Sequence, residues 1–230
     1  MMELKTRQSL LEKFKNPEKC DYESIAVSLI KNFSIRKKEV DSAGVKDVKY
    51  RIADLEIYLY SADDTAAEQD VATLNRDCIE GQWFFHRYGV DVAFRTIHVE
   101  SDELRKFGGV LIRGVEKYEN GKHVGNISGC QRCMLDIFNA TDSLPELIAD
   151  EPLSDIEVFN GKRVESDPKP YRYFKGGVEW EKNRKLIYQT QKNINGQTEY
   201  HIWHKEKPLT KEYLENIPNE NEAIKKVYPL

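Results

Sequence analysis

The chain has 230 residues, of which 40% are hydrophobic and 32% charged, with a formal net charge of −4 at pH 7 and a pI of about 5.8. This composition is typical of a folded globular protein of one large or two small domains, and it argues against extended disorder. Dedicated nucleic-acid-binding proteins usually carry a basic domain, so the acidic total counts against that class. Basic residues are nevertheless concentrated in 31–51 and 169–192, so a basic face is compatible with the total, although such runs are more often solvated surface.

The sequence gives no sign of a membrane protein. No stretch approaches the ~20 apolar residues that a membrane-spanning helix requires. Residues 1–15 are amphipathic and charged, and they lack the apolar core of a signal peptide. The four cysteines, Cys20, Cys78, Cys130 and Cys133, are compatible with a reducing compartment. We therefore expect a cytoplasmic (intracellular) protein without a membrane partner.

Helical patterns open the chain. Residues 3–15 place apolar side chains at near-helical spacing, and residues 22–33 do the same, with Asp21 as a candidate N-cap. The charged stretch 35–49 is interpreted as a connection into a sheet. The first strand of that sheet is predicted over 49–60.

The middle of the chain is predominantly β. Strands are predicted over 49–60, 83–86, 90–98, 108–117 and 170–174, a helix over 130–139, and irregular segments over 61–80 and 141–167. Towards the C-terminus, two β-rich runs flank Asn195-Gly196, the strongest short hairpin signal in the chain. A short helix is predicted over 210–217, and no linker cleanly separates two domains.

Several common catalytic motifs are absent. Cys130 and Cys133 form a C-x-x-C pair, but the second pair that zinc normally requires is missing, so a structural role in a buried helical turn is favoured. His201 and His204 would point to opposite faces of a strand, which argues against a metal site. The chain has no P-loop, dinucleotide-binding or G-x-S-x-G motif, so P-loop nucleotide hydrolysis and serine-esterase chemistry are not expected.

Glu56 is the most informative polar residue. It lies in a largely apolar strand with Tyr58 and Tyr60, and further aromatic residues crowd the neighbouring hairpin. A buried carboxylate is costly unless it is paired or used. Two interpretations stay open at this point: a catalytic Glu56 beneath a flat pocket that stacks a purine-like ligand, or a structural carboxylate paired with Arg113 or Arg87, with the aromatics as ordinary core.

Taken in order, five segments resemble the alkyladenine (3-methyladenine) DNA glycosylase family. They are RIADLEIYLYSADDTAA, WFFHRYG, VLIRGVEK, ISGCQRCMLDIFN and KPYRYF, and their order and spacing agree with the family over about residues 20–176. The resemblance implies an α+β fold, a single domain with a curved, mostly antiparallel sheet flanked by helices. Residues 1–176 would form this glycosylase-like domain, and 177–230 a C-terminal hairpin and helix extension packed on it.

The resemblance also implies a mechanism. A monofunctional N-glycosyl hydrolase of base excision repair would flip a damaged purine out of DNA, and Glu56, as general base, would activate the water that attacks the sugar C1′. Tyr58 and Phe85 would sandwich the base, Tyr88 would wedge into the stack, and Arg113 would meet a phosphate. No metal or organic cofactor is implied. The implied partner is double-stranded DNA with a damaged purine, and the protein is expected to be a monomer.

Two expected pocket residues depart from the family pattern. Glu68 falls near the place of the family's pocket histidine, and Arg95 falls near the asparagine that screens out guanine. We expect both to line the pocket, where they could pair across the site. Two alternatives to a divergent glycosylase therefore stay open: a non-catalytic binding protein that kept the fold, and a hydrolase of free nucleosides or nucleotides.

Overall fold

The computed structural model describes residues 4–42, 44–98, 103–139, 143–163 and 169–178, together with the backbone of 187–194, 197–204 and 207–208. Within these ranges the fold is mixed α+β, as the sequence predicts, and every strand pairing is antiparallel. None of the described helices is long and apolar enough to cross a membrane.

The described chain forms two sheets and three α-helices. The larger sheet contains β1 Phe33–Asp41, β2 Gly44–Ser61, β3 Trp83–His86, β4 Gly89–Ala93, β5 Ile97–His98, β6 Leu104–Glu119, β7 Lys122–Ser128, β8 Glu146–Ala149, β9 Val158–Gly161 and β10 Arg172–Lys175. The helices are α1 Arg7–Lys15, α2 Tyr22–Asn32 and α3 Cys130–Phe138, with a 3-10 turn at Lys19–Asp21. The smaller sheet contains β11 Ile187–Ile194, β12 Gln197–His204 and β13 Lys207–Pro208.

The long strands β2 and β6 form the centre of the larger sheet, whose main order is β3-β4-β6-β2-β1-β8. Strand β1 pairs with the first half of β2, and β10 pairs with β2 beyond that point. Strand β6 therefore runs along one edge of β2, while β1 and β10 share the other. This arrangement leaves β2 central, with a strand on both edges as far as Glu56.

The charged stretch 35–49 is not a connection, contrary to the sequence-based interpretation. It forms most of β1 and the start of β2, which pair directly with each other. Its charges are satisfied across the strands: Arg36 binds both oxygens of Asp47 at 2.8 and 2.7 Å. The buried ammonium of Lys37 binds the carbonyls of Asp136 and Asn139, at the end of α3. Charged residues are tolerated in strands when partners of this kind are available.

Helices α1 and α3 are anchored by apolar side chains against one face of the larger sheet. Phe14 of α1 meets Phe94 edge-on at 5.0 Å between ring centroids, and Cys133 and Ile137 of α3 are fully buried. Fully burying an apolar side chain of this size stabilises the fold by roughly 1.5–3 kcal/mol. The predicted N-cap of α2 is wrong in one respect, because the Asp21 side chain makes no cap hydrogen bond and instead binds the ammonium of Lys13.

The alternation of buried residues changes phase midway along both central strands. In β2 the core positions are Val48, Tyr50 and Ile52, followed after a three-residue step by Leu55, Ile57 and Leu59. In β6 the same step separates Ile112 from Val115, and irregular pairing marks the place on both strands. We call the side with these residues the core face. The opposite side, which carries Asp54, Glu56 and Tyr58 of β2 with Leu111 and Arg113 of β6, is the charged face.

The C-terminal predictions are answered in part. Strands β11 and β12 pair antiparallel on either side of Asn195-Gly196, with Ile194 opposite Gln197, which confirms the predicted hairpin. The helix predicted over 210–217 lies outside the described residues.

Candidate functional site

Glu56 lies fully buried on the charged face, and its two carboxylate oxygens differ. Oε2 accepts a hydrogen bond from the Tyr58 hydroxyl at 2.8 Å and is also 2.8 Å from Nη1 of Arg113. Oε1 is buried without a hydrogen-bond partner among the described residues. The structure therefore brings together three residues that the sequence singled out, and it leaves one oxygen of the acid unsatisfied.

Local strand geometry explains this contact. Side chains two residues apart in a strand share a face, which places Tyr58 beside Glu56. On β6 Leu111 faces Glu56, and Arg113, two residues further on, shares that face and reaches the same carboxylate. Neighbouring Asp54 is held by Arg172 of β10 through two hydrogen bonds of 3.0 and 2.7 Å. We call these four charged residues, Asp54, Glu56, Arg113 and Arg172, together with Tyr58, the central cluster.

The central cluster contains two carboxylates and two guanidiniums, so its formal charges balance. Burial alone would lower the pKa of Arg113, but Glu56 and Asp54 outweigh that effect, and the pKa is raised. Burial, followed by the charge of Glu56, raises the pKa of Tyr58. Arg113 therefore stays cationic and Tyr58 stays a protonated donor at neutral pH, so both remain able to hold Oε2.

The ring of Tyr58 is covered by Arg163, a residue that the sequence gave no reason to select. The Arg163 guanidinium carbon lies 4.1 Å from the centroid of the Tyr58 ring. Asp70 binds the same guanidinium through two hydrogen bonds of 2.8 Å, and both residues are buried. Asp70 comes from the long loop after β2 and Arg163 follows β9, so only the tertiary fold brings them to Tyr58.

The β3–β4 hairpin carries a second buried ion-pair group on the charged face. Asp91 binds Arg76 through Oδ2 and the Nε2 atom of His86 through Oδ1. The Arg76 guanidinium carbon lies 4.1 Å from the ring centroid of Phe84. We call Arg76, Phe84, His86 and Asp91 the hairpin cluster. Register places it in the same sheet row as Glu56, because Glu56 faces Leu111, Leu111 faces Asp91, and Asp91 faces Phe84.

Tyr88 lies at the turn of this hairpin. Half of its surface is exposed, and the guanidinium of Arg87 lies over its ring at 4.6 Å. The backbone N–H of Tyr88 donates to Nδ1 of His86 at 3.3 Å, which ties the turn to the hairpin cluster. Tyr88 is therefore an exposed aromatic ring with an adjacent cation at a hairpin tip, and its role as a wedge stays a prediction.

Phe85 does not lie opposite Tyr58, contrary to the sequence-based expectation. It faces Val90 across the hairpin, so it points to the core face, away from Glu56. Its ring meets Phe138 of α3 edge-on at 4.7 Å, and it is 49% exposed. The one-residue difference between Phe84 and Phe85 decides the face, and sequence alone does not fix the register of a short hairpin.

Glu68 and Arg95, the two expected pocket residues that depart from the family pattern, do not contact each other. Glu68 accepts a hydrogen bond from the Thr65 hydroxyl at 2.7 Å, within its own loop. Arg95 pairs with Glu80 at 2.7 Å, and both Glu68 and Arg95 are exposed. The expected pairing of Glu68 with Arg95 across a pocket is therefore wrong, and each residue belongs to a local surface contact.

Arg113 also differs from its expected position. Only 16% of its side chain is exposed, and its guanidinium is directed to Glu56 and Asp54. A phosphate contact requires an accessible cation, so Arg113 is better described as a partner of the buried acids. This outcome agrees with the alternative in which Glu56 is paired with an arginine, and it does not by itself separate a structural from a catalytic carboxylate.

The cysteine pair Cys130 and Cys133 lies where α3 packs against the sheet. Cys130 and Cys133 are not joined by a disulfide, and Cys133 is fully buried in the core. A Cβ added to Gly89 would lie 2.8 Å from the Cβ of Cys130, so α3 begins in close contact with the hairpin. Burial raises the pKa of Cys130, which keeps it a thiol. The side chains of His201 and His204 lie outside the described part of the chain.

One further group of possible ligands lies near the N-terminus. Among the described residues, the ligand atoms of Glu18, Cys20 and Asp21 lie within 4.8 Å of one another. Glu18 and Cys20 are exposed, and Asp21 is already bound to Lys13 at 2.7 Å. The group is more simply explained as part of the helix α1–α2 connection.

The charged face thus brings Glu56, its donors Tyr58 and Arg113, and an exposed aromatic hairpin tip onto one sheet. No family model, curated protein or solved structure matches this chain. The function therefore rests on the arrangement of the side chains and on the order of the motifs along the sequence.

Proposed function

We propose that the protein is a divergent DNA-glycosylase-like hydrolase that cleaves the N-glycosidic bond of a modified purine in duplex DNA. The observation that carries the proposal is the asymmetry of Glu56. Oε2 is fixed by Tyr58 and Arg113, whereas buried Oε1 lacks a hydrogen-bond partner among the described residues. A buried acceptor without a partner costs about 1–3 kcal/mol, and more when charged, so an ordered water or a catalytic role is needed to explain it.

The chemistry follows from this asymmetry. A water that donates to Oε1 loses its proton to the carboxylate as its oxygen forms a bond to the sugar C1′. The bond between C1′ and the purine nitrogen breaks, and the departing base carries the electron pair until it takes up a proton. Like Oε1 of Glu56, Nε of Arg113 is buried without a hydrogen-bond partner among the described residues. We assign it the role of donor to the oxygen of that water. The two fixed contacts on Oε2 hold the carboxylate in position for this step.

Recognition of DNA is assigned to the hairpin tip. Tyr88 is the exposed aromatic wedge, and Arg87 supplies the cation beside it. Insertion of an aromatic side chain between base steps kinks the duplex and lowers the cost of extruding a nucleotide. Tyr58 then offers the face of its ring that Arg163 does not cover.

The test is a base-release assay on duplex oligonucleotides that carry hypoxanthine or alkylated purines. Glu56→Gln keeps the shape of the side chain but removes the base, and we expect it to lower the rate of release about 10²–10⁴-fold. The matched control is Glu116→Gln, since Glu116 is another buried strand carboxylate, held by Lys175 at 2.8 Å, that has no place in the mechanism. Equal release by the wild type and Glu56→Gln would contradict the proposal.

DNA binding is measured separately on the same duplexes. The observed affinity should fall steeply as salt rises, because phosphate contacts release counterions. Tyr88→Ala should weaken binding to duplexes with a modified base more than binding to single strands. Failure to retain any duplex at low salt would exclude a glycosylase.

A non-catalytic binding protein is the second candidate, and complete burial of Glu56 favours it. The cation over Tyr58 also reduces the open surface of the ring. This candidate predicts salt-dependent binding to duplex DNA without base release, and the same binding in Glu56→Gln. Release of bases from free nucleosides, without duplex binding, would instead indicate a nucleoside hydrolase, a class that suits the acidic total charge.

A further inference from the structure

The Asp70–Arg163 ion pair continues the hydrogen-bonding pattern of β2 where its neighbouring strand ends. Strand β10 pairs with β2 only as far as Glu56. Beyond that point, Nη1 of Arg163 donates to the Ile57 carbonyl at 2.8 Å, and the Leu59 N–H donates to Oδ2 of Asp70 at 3.3 Å. The two side chains therefore satisfy the backbone groups on either side of Tyr58, as a strand would.

The same ion pair also contacts the side chain between those groups. Besides its contact with the Tyr58 ring, the Arg163 guanidinium lies 5.5 Å from the ring centroid of Tyr171. A planar guanidinium over an aromatic ring attracts it electrostatically, and more strongly when the pair is desolvated. Backbone and ring of Tyr58 are thus fixed by one buried unit that is itself locked by two hydrogen bonds to Asp70.

We propose that Arg163 and Asp70 are positioning residues for Tyr58. They hold the tyrosine so that its hydroxyl stays on Oε2 of Glu56, which leaves Oε1 as the oxygen that faces the reaction. The inference rests on the proposed function for its catalytic consequence, but the placement of Tyr58 can be measured without it. Neither residue touches Glu56 through any described hydrogen bond or ion pair, so both act through Tyr58.

The chain contains a matched control for this role. In the hairpin cluster, Arg76 is likewise paired with a buried aspartate, Asp91, and lies at the same 4.1 Å from an aromatic ring, that of Phe84. Phe84 has no hydroxyl to donate to Glu56. Asp70 binds Arg163 through two hydrogen bonds and Asp91 binds Arg76 through one, and the two arginines lie equally close to their rings. Arg76→Lys therefore removes a comparable ion pair and ring contact, and we expect only Arg163→Lys to affect Tyr58.

The first measurement is NMR of protein labelled with ¹³C at the tyrosine Cζ, a carbon whose shift responds to hydrogen bonding of the hydroxyl. Tyr58→Phe assigns the Tyr58 resonance by its loss. We expect Arg163→Lys and Asp70→Asn to move or split this resonance, and Arg76→Lys to leave it in place. An unmoved Tyr58 resonance in folded Arg163→Lys and Asp70→Asn would overturn the positioning role, whatever their stability in urea. If Arg163→Lys fails to fold, Asp70→Asn decides alone.

The second measurement is base release by the same variants. We expect Arg163→Lys to lower kcat about 10–100-fold with little change in KM, because a misplaced group costs rate rather than binding. Arg76→Lys should leave the rate unchanged under conditions where it is folded. A Tyr58 resonance that moves in Arg163→Lys while kcat stays at the wild-type value overturns the inference. A wild type without base release contradicts the proposed function alone, because the NMR comparison still decides whether Tyr58 is positioned by this pair.

Discussion

The central cluster and the hairpin cluster each pair arginine with a buried carboxylate on the same sheet face, and they differ in how completely their acids are satisfied. In the hairpin cluster both oxygens of Asp91 are bound, one by Arg76 and one by His86. In the central cluster Glu56 has two partners on Oε2, and Oε1 has no hydrogen-bond partner in the described part of the chain. A buried ion pair is therefore not evidence of function by itself, and the unsatisfied oxygen is the feature that distinguishes the two.

The clusters also differ in the ring under each arginine. Arg163 covers Tyr58, whose hydroxyl donates a hydrogen bond to Glu56, whereas Arg76 covers Phe84, which has no hydroxyl to donate. Tyr58 therefore connects the Asp70–Arg163 ion pair to Glu56, and Phe84 cannot make such a connection. We expect substitutions in the first to change stability alone and substitutions in the second to change stability and activity together.

The largest effect on stability is expected for Asp91→Asn. Removing one member of a buried ion pair leaves an uncompensated charge, which costs about 3–5 kcal/mol. Glu56→Gln should cost less, about 1–2 kcal/mol. Arg113 still has a second acidic neighbour, Asp54, at 3.9 Å, and the Gln side chain can still accept a hydrogen bond. Urea unfolding of the two variants side by side measures both values, and equal losses would remove the distinction between the clusters.

Tyr58→Phe sharpens the comparison, because it gives the central cluster the ring that the hairpin cluster already has. The lost hydrogen bond ends on a charged oxygen, so the expected cost is about 1.5–3 kcal/mol of unfolding free energy. Arg163 retains its ring contact, which limits the loss to the hydroxyl. Equilibrium unfolding gives the value, and a cost below about 0.5 kcal/mol would mean that the hydroxyl does not hold Glu56.

Gly109 links the two clusters, since it faces Tyr58 across the strands and lies beneath Arg76. A Cβ there would meet the Val92 carbonyl at 2.8 Å and Nη1 of Arg76 at 2.9 Å. We expect Gly109→Ala to cost about 1–3 kcal/mol through this overpacking. Gly125→Ala is the control, because nothing lies within 4 Å of its added Cβ. Comparable thermal midpoints for the two variants would show that Arg76 yields without cost.

Alkaline pH acts on the central cluster and not on Phe84. Burial, followed by Glu56, raises the pKa of Tyr58, whereas an unfolded tyrosine ionises near about pH 10. Above that pH the unfolded chain releases a proton that the folded chain keeps. The contribution of such a tyrosine to the free energy of unfolding is therefore complete below about pH 10. Above that pH the free energy of unfolding falls by about 1.4 kcal/mol per pH unit for each such tyrosine.

Tyr22, Tyr50 and Tyr173 also have raised pKa values, mainly through burial, and add to the same slope. Urea midpoints between about pH 9 and 11 measure the slope. Tyr58→Phe should reduce it by one tyrosine's share, and Tyr22→Phe by a similar share. A slope unchanged by Tyr58→Phe would mean that Tyr58 ionises as freely in the folded protein as in the unfolded chain.

The smallest effects are expected at Glu68 and Arg95, which lie in surface contacts away from both clusters. Exposed hydrogen bonds and ion pairs of this kind contribute little, so Glu68→Ala and Arg95→Ala should change stability by less than about 1 kcal/mol. Base release should also be unaffected. A strong change in substrate preference in either variant would restore these positions to the pocket.

The sequence anticipated the parts of this structure that depend on local pattern. Alternation and motif order placed Glu56 and Tyr58 together on a strand, and the hairpin turn placed Tyr88 at an exposed tip. The sequence does not indicate Arg163 and Asp70, because the two paired residues are 93 positions apart in sequence and both lie in segments with irregular patterns. No local signal marks a long-range ion pair of this kind.

The errors have equally physical causes. Phe85 was placed beside Tyr58 because three aromatic residues in a row do not indicate which of them faces the site, and only the strand register decides it. Residues 35–49 were interpreted as a connection because charge was weighed above alternation, although Arg36 and Lys37 find partners in the fold. The phosphate contact of Arg113 is an expectation of the resemblance alone, whereas the sequence also names Arg113 as a partner of Glu56, and this pairing is the one in the fold.

The three-residue steps in β2 and β6 give each strand one residue more than regular alternation needs. Because both strands gain it at the same place, the pairing on either side stays in register, and Ile52 and Leu55 both remain in the core. Asp54 and Arg113 lie at these extra positions. The charged face therefore gains an acid and a base at the point where each strand has one more residue than alternation needs, and the apolar residues beneath keep their register.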